Sequence, residues 1–179
     1  ERSYLYSLKI LSKGFITPDP IAFIETYDNN LISKSYYICI NQEDRNTVRS
    51  LMGGEDTEDY YKKIEQFAKY SADLHSNGIL HLDYSAGNIL YKKDNNNYTF
   101  SLIDVNRLKF QIPNRKTTIN NLNRISTTPQ TLKPFSDYYC KYRGWDNDLK
   151  FSRHLEISSD LFHFNKALKH SFKDLIKKR

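Results

Sequence analysis

The stretch "HLDYSAGNILY", residues 81–91, joins three polar residues to a tight turn and then enters an apolar strand. The polar residues are His81, Asp83 and Asn88, and Asn88 follows Asp83 by five positions. A further aspartate, Asp104, lies inside the apolar segment "FSLIDV". Acidic and amide side chains at the ends of two neighbouring segments indicate one site built from both.

A long helix is predicted directly before this stretch. Apolar side chains at helical spacing run from about Glu58 to Ser76. Asp56 or Thr57 can cap its start, because short polar side chains accept hydrogen bonds from the first turn of a helix. Asn77-Gly78 supplies a left-handed stop.

Elsewhere the patterns predict short strands and two further helices. Residues 111–135 are poor in apolar side chains and are predicted to be a loop with one short helix over 119–125. The other predicted elements are a helix over 1–13 that ends at Gly14, strands over 21–26 and 34–41 joined by a turn at 28–30, a hairpin of strands over 88–93 and 98–105, and a helix over 158–178.

The order of a long helix, the His81 stretch, a hairpin and Asp104 resembles the catalytic core of the protein-kinase-like fold. There, a loop written H-x-D-x-x-x-x-N precedes a metal-binding aspartate. "HLDYSAGNIL" is similar to the small-molecule branch, the aminoglycoside and choline kinases, which have H-x-D-x-x-x-G-N. Residues 104–107, "DVNR", resemble the D-x-x-R of the lipopolysaccharide kinase (Kdo/WaaP) family. The resemblance covers residues 1 to about 110 and implies an α+β, kinase-like fold.

The resemblance also implies a role for each polar residue. Asp83 would accept the proton of the attacking hydroxyl, and Asn88 and Asp104 would bind Mg²⁺ at the phosphates of ATP. His81 belongs to the same catalytic loop and is expected to brace it by hydrogen bonds. Gly87 is expected to let the backbone turn sharply before Asn88.

The nucleotide side follows from the same resemblance. Residues 1–42 would be part of the small lobe and the hinge, and residues 43–179 the C-lobe with the catalytic loop and a basic helical tail. Backbone groups around Cys39 and Asn41 would meet adenine. Glu1, the acidic residue of the first helix, is the candidate partner of a nucleotide-binding lysine.

Four parts of the protein-kinase pattern are absent from this sequence. A Gly-rich phosphate loop and a strand lysine would both precede Glu1, so the chain is interpreted as the C-terminal portion of a longer protein. There is no A-P-E segment, and Ser85 stands where Ser/Thr protein kinases carry a lysine, which argues against a protein substrate. Arg107 would hold the loop or contact an anionic substrate, and the structural role is favoured.

The composition is that of a globular protein, with 39% apolar and 27% charged residues. Cys39 and Cys140 lie far apart beside apolar or aromatic residues, which is typical of a reduced, intracellular protein and gives no metal framework. No apolar run approaches the length of a membrane span.

The charge is uneven along the chain. Residues 1–110 carry 13 Lys and Arg against 15 Asp and Glu, whereas residues 111–179 carry 14 against 6. Such a basic part is either a solvated face or a surface for an anionic partner. Lysines at helical spacing favour the solvated face, and no RNA- or DNA-binding motif is recognisable, so no nucleic-acid partner is expected.

The resemblance therefore implies an ATP- and Mg²⁺-dependent phosphotransferase acting on a sugar hydroxyl, of Kdo or heptose in the lipopolysaccharide inner core. The expected partners are ATP and an anionic glycan or lipopolysaccharide acceptor, with peripheral contact to a membrane surface. The expected location is the cytoplasm, at the inner face of the bacterial inner membrane.

Two other classes stay open. One is a pseudokinase or a basic binding module for anionic surfaces or nucleic acid, which retention of the catalytic-loop residues disfavours. The other is a metal-dependent hydrolase using His81, Asp83 and Asp104, which lacks a second well-placed histidine and leaves Asn88 unexplained.

Overall fold

The elements of the fold come from a computed structural model that describes residues 1–52, 57–95, 97–125, 128–145 and 149–177, without the side chains of 129, 170 and 172–177. The helices are α1 (Arg2–Ser12), α2 (Val48–Leu51), α3 (Glu58–Ser76), α4 (Arg115–Leu122), α5 (Pro129–Tyr142) and α6 (Leu149–Lys177), with a 3-10 turn at Val105–Arg107. The strands are β1 (Pro20–Asp28), β2 (Leu31–Cys39), β3 (Asn46–Thr47), β4 (Ile79–His81), β5 (Ile89–Asp94), β6 (Asn97–Leu102) and β7 (Leu108–Phe110). The α+β class is confirmed.

The central helix α3 begins and ends where its capping residues predict. The Thr57 hydroxyl oxygen accepts a hydrogen bond from the Tyr60 backbone N–H at 3.2 Å. At the other end Gly78 adopts a φ of 69°, the left-handed conformation that ends a helix with little strain. The predicted bounds of this helix are confirmed.

The core forms where α3 meets α5 and the β5–β6 hairpin. Phe67 of α3 is fully buried, with its ring centroid 5.3 Å from Phe135 on α5 and 6.4 Å from Tyr84. The Tyr84 hydroxyl hydrogen-bonds to the Ser71 hydroxyl at 2.7 Å inside this core. The residue that follows Asp83 is therefore fixed to the best-packed part of the protein.

The β5–β6 hairpin brings the two halves of the predicted site together. Its strands pair in antiparallel register, with Ile89 opposite Leu102. The Ile103 N–H then donates to the Asn88 carbonyl at 3.0 Å, so the pairing continues one step beyond the strands. Asp104, the next residue, consequently lies beside Asn88.

The β1–β2 hairpin is a separate two-stranded sheet. Its turn residues Asn29 and Asn30 have φ values of 48° and 63°, as a two-residue hairpin with type I′ geometry requires. The Ser7 and Tyr37 hydroxyls, 2.9 Å apart, tie the hairpin to α1. Both predicted strands are confirmed: β1 extends beyond its predicted bounds at both ends, whereas β2 begins three residues earlier than predicted and ends two residues earlier.

The prediction for residues 111–135 is wrong, because most of this segment is helical. It contains α4 and the first half of α5, which runs through Pro134. Among the described residues, the apolar side chains that α5 buries are Leu132, Phe135, Tyr139 and Cys140. Their spacing is helical, but some of these residues lie before and others after residue 135, the end of the segment predicted to be a loop because of its low apolar content.

The last helix is longer than predicted. It begins at Leu149 rather than at residue 158, and it is anchored by the buried side chains of Phe151 and Leu155. Further along the helix, the apolar side chains of Leu161, Phe164 and Leu168 recur at helical spacing, but all three are exposed. The predicted capping role of Asp56 and the predicted end of the helix at residue 178 lie outside the described residues.

Candidate active site

The loop over residues 82–88 is anchored by His81, the last residue of β4. His81 Nδ1 accepts a hydrogen bond from the Asp83 backbone N–H at 3.1 Å, and Nε2 lies 3.0 Å from the Ile103 carbonyl oxygen. One ring nitrogen accepts and the other donates, as in a neutral imidazole. Burial lowers the pKa of His81, which favours the same neutral form. These contacts support the bracing role expected for His81, and its part in catalysis stays a prediction.

The Asp83 carboxylate lies between two arginines. Arg124 Nη1 is 3.0 Å from Oδ1, and Arg107 Nη1 is 3.7 Å from Oδ2. The side chain keeps 36% of its surface exposed, so a reactant can still reach it. Ion pairs on both oxygens fix the orientation of the carboxylate. The Arg107 contact supports the structural role favoured for that residue.

Asn88 and Asp104 present oxygen ligands at adjoining backbone positions. Asn88 Nδ2 donates to the Asp83 carbonyl at 2.9 Å, which leaves its amide oxygen to face away from that bond. Asp104 is exposed and has a φ of 54°, a left-handed conformation that is uncommon for any residue except glycine. Backbone strain of this kind is concentrated at functional sites. An amide oxygen and a carboxylate fit the hard-oxygen preference of Mg²⁺.

Gly87 has a different role from the one that its position suggested. Its φ is not positive, so no glycine-only turn is formed there. Instead, a Cβ at Gly87 would lie 3.2 Å from Arg49 Nη2, closer than an ordinary van der Waals contact. The Arg49 backbone N–H also donates to the Ala86 carbonyl at 3.1 Å. The exposed Arg49 guanidinium thus lies against the 82–88 loop at Gly87.

A buried polar chain supports the 82–88 loop from behind. His75 Nδ1 lies 2.7 Å from the Tyr139 hydroxyl, and Nε2 lies 3.1 Å from the Asn121 amide oxygen. Asn121 in turn donates to the His81 carbonyl at 2.6 Å. Burial lowers the pKa of His75 to about 3, so the ring is neutral. This supports a structural role for His75 and links α3, α4 and α5 to β4.

The residues predicted to meet the nucleotide lie on the β1–β2 side of the molecule. Glu1 lines a cavity of about 770 Å³ together with Glu25 and Arg107. Cys39 ends β2, and the Asn41 side chain, two residues later, donates to Glu43 at 3.0 Å. These positions are compatible with a hinge between the hairpin and the helical part, and the contacts with adenine and with a lysine stay predictions.

A second cavity, of about 710 Å³, opens at Asp83 on the other side of the 82–88 loop. We call it the Asp83 cavity. Arg49 and Asn88 line one wall, and Lys166 lies on the wall formed by α6. Arg124 also lines it, with its guanidinium 5.0 Å from the centre of the Phe162 ring.

Sequence reasoning finds the loop residues and Arg107 but misses two other cations beside the loop, Arg49 and Arg124. Arg124 lies 41 positions after Asp83, and Arg49 lies 34 positions before it. Local spacing cannot reveal either contact, because both depend on how α2 and α4 pack.

The Asp–Asn–Asp arrangement on a braced loop and hairpin, with an adjoining helical core, defines a kinase-like phosphotransferase fold. A solved structure of WaaP in complex with acyl carrier protein matches it with a TM-score of 0.67 and 13% identity, covering 89% of this chain and 75% of that one. The Rio2 kinase of Chaetomium thermophilum, solved as an ADP/Mg²⁺–phosphoaspartate complex, matches with a TM-score of 0.44 and 20% identity, covering 99% and 54%.

The family model described as "Lipopolysaccharide kinase (Kdo/WaaP) family" matches residues 9–139. This chain belongs to that family, and its enzyme class is kinase. The resemblance expected from "HLDYSAGNIL" and "DVNR" is thereby confirmed. A search of curated proteins gives no match.

Proposed function

We propose that the chain transfers the γ-phosphate of ATP to a sugar hydroxyl, with Asp83 as the general base. The observation that carries this proposal is the Asp83 carboxylate, held by arginines on both oxygens and open to a cavity large enough for a sugar. The hydroxyl proton passes to Asp83 as the sugar oxygen bonds to the γ-phosphorus. The bond from that phosphorus to the β-phosphate oxygen breaks, and ADP leaves.

The proposed metal ligands are Asn88 and Asp104. Bound Mg²⁺ would neutralise charge on the phosphates of ATP. The protein's own part is positional: the Ile103-to-Asn88 hydrogen bond holds the two ligand-bearing residues next to each other. An Asp104→Ala variant should bind ADP equally with and without Mg²⁺ in a calorimetric titration. A Mg²⁺ dependence as large as in the unmodified protein would assign the metal elsewhere.

The proposed acceptor is a Kdo or heptose sugar of the lipopolysaccharide inner core. Family membership supports this acceptor, and the three cations Arg49, Arg124 and Lys166 suit an anionic glycan. The acceptor is attached to a lipid and the donor is ATP, so the proposed place of the reaction is the cytoplasmic face of the inner membrane.

Peripheral contact with the membrane is part of the same proposal. Ile157, Leu161, Phe164 and Leu168 form an exposed apolar stripe on α6, and the basic residues Lys150 and Arg153 lie nearby on that helix. Among the described residues, no helix has the length and apolar composition needed to cross a bilayer. Replacing Phe164 by serine should weaken co-sedimentation with anionic lipid vesicles. Equal sedimentation of the two proteins would remove the stripe from the proposal.

The test of the proposal is Asp83→Asn in the full-length protein. Loss of the general base should lower phosphate transfer by about 10²–10⁴-fold, because asparagine preserves the shape but cannot accept the proton. Transfer is measured as ³²P from ATP to a Kdo-lipid A acceptor. The matched control is Asp94→Asn, an exposed carboxylate in the β5–β6 hairpin, which should leave the rate unchanged. A near-normal rate for Asp83→Asn would exclude Asp83 as the base.

A further inference from the structure

The Asp83 cavity contains cations that differ in their partners. Arg124 pairs with Asp83 itself. Arg49 and Lys166 also line the cavity, and both are exposed, yet neither forms an ion pair with any acidic residue in the part of the chain that the structure describes. Asp83 is the only carboxylate among the described residues that line this cavity. Among the residues that the structure describes, Arg49 and Lys166 are therefore two positive charges of the cavity without an acidic partner.

The backbone of Arg49 is fixed beside the 82–88 loop. Its backbone N–H donates to the Ala86 carbonyl at 3.1 Å, and its exposed guanidinium lies against Gly87, with Nη2 3.2 Å from the place that a Cβ would take there. A planar guanidinium held beside a reactive carboxylate can bind a carboxylate or phosphate through two parallel hydrogen bonds.

Lys166 supplies charge from the opposite wall. It is one helical turn after Phe162, whose ring contacts Arg124. The cavity thus has a fork-shaped donor on the loop side and an ammonium group on the α6 side. Together these two cations can hold an anion while a neighbouring hydroxyl faces Asp83.

We propose that Arg49 and Lys166 are specificity-determining residues that bind a carboxylate or phosphate group carried by the acceptor sugar. The inference rests on the proposed function and adds the chemical requirement on the substrate. An acceptor with a negatively charged group beside its hydroxyl is bound with that hydroxyl facing Asp83. Its neutral counterpart lacks the group that the two cations bind. Arg124 is a positioning residue that acts through Asp83.

The experiment uses the full-length protein and two matched acceptor pairs. One pair is a Kdo glycoside and its methyl ester, and the other is a phosphorylated heptoside and its phosphate-free form. The unmodified protein should prefer the charged member of at least one pair, and the pair identifies whether the group is a carboxylate or a phosphate. Arg49→Gln should raise KM for the charged acceptor by about 10–100-fold, as expected for a lost hydrogen bond to a charged group.

The KM values for different substrates distinguish acceptor binding by Arg49 from a role in ATP binding. KM for ATP should stay within about twofold, and KM for the neutral acceptors should hardly change. Arg49→Lys should fall between the unmodified protein and Arg49→Gln, because it keeps the charge and loses the fork. Lys166→Gln should raise KM in the same direction by a smaller factor. Lys169→Gln, at an exposed position on α6 that does not line the cavity, is the control and should match the unmodified protein.

Calorimetric binding of the same four acceptors, without nucleotide, makes the two proposals separable. If no acceptor is phosphorylated but Arg49→Gln abolishes the preference for the charged member, the anion site stands and the proposed reaction fails. If transfer occurs and the unmodified protein binds both members equally, the anion site is overturned. A rise in KM for ATP without a change in KM for the acceptor would also overturn it, because Arg49 would then serve the nucleotide.

Discussion

The helix α3 and the β1–β2 hairpin show two ways of holding an element in place. Eight residues of α3 are buried, from Tyr60 to His75, whereas no residue of β1 or β2 is buried. The helix is held by side-chain packing on several neighbours. The hairpin is held by its own ladder of hydrogen bonds and by contacts with α1. The predicted base and metal ligands lie with the first region, and the expected nucleotide contacts lie with the second.

The difference in packing between α3 and the β1–β2 hairpin should have its largest effect on the free energy of unfolding. Phe67→Ala should lower the free energy of unfolding by about 3–5 kcal/mol, because it removes a fully buried ring that contacts α5, β6 and Tyr84. The free energy of unfolding is measured by urea titration, with circular dichroism as the signal. A loss below about 1 kcal/mol would show that the two regions do not differ in packing as described.

The second largest effect is expected in the pH dependence of the free energy of unfolding. His75 has a folded-state pKa of about 3 and an ordinary value of 6.5, so between these values only the unfolded chain takes up the proton. Stability should therefore fall as the pH drops below 6.5, by up to about 1.4 kcal/mol per pH unit from this group. His75→Gln should remove that contribution and give a shallower decline from pH 7 to pH 4.

The comparison for His75 uses the difference between the two unfolding curves, because His81 and the carboxylates add to both. His81 acts in the same direction, since burial also lowers its pKa. Parallel declines for the two proteins would mean that His75 is not a buried neutral group in the folded state.

The smallest effect is expected in the hairpin. Phe23→Ala changes the same residue type as Phe67→Ala, but Phe23 is 38% exposed and its main ring contact is Tyr4, at 5.4 Å. The free energy of unfolding should fall by about 1 kcal/mol or less. Amide hydrogen exchange should be faster in β1 and β2 while α3 remains protected. Loss of protection in α3 as well would show that hairpin and core unfold together.

The sequence predicts the elements whose signals are local. Thr57 and Gly78 mark the ends of α3, and the Asn29–Asn30 pair marks the β1–β2 turn, because each signal acts within a few residues. The spacing of Asp83 and Asn88 likewise defines one half of the candidate site within a single loop.

The sequence does not predict what depends on packing between distant segments. Arg49 and Arg124 reach Asp83's surroundings from α2 and from the end of α4, and no local pattern connects them to it. The helix α5 is missed because its buried residues begin inside a polar, proline-containing segment. The exposed stripe of α6 has the periodicity of a buried face, and periodicity alone cannot tell which surface covers it.

The two hydrogen bonds of His81 have a mechanical consequence. One ring joins the Asp83 backbone to the Ile103 carbonyl, so a single side chain acts as a spacer between the segment bearing the proposed base and the segment bearing Asp104. These two segments should move as one rigid body. Any opening or closing of the β1–β2 hairpin would then change access to the nucleotide while leaving the separation of Asp83 and Asp104 unchanged.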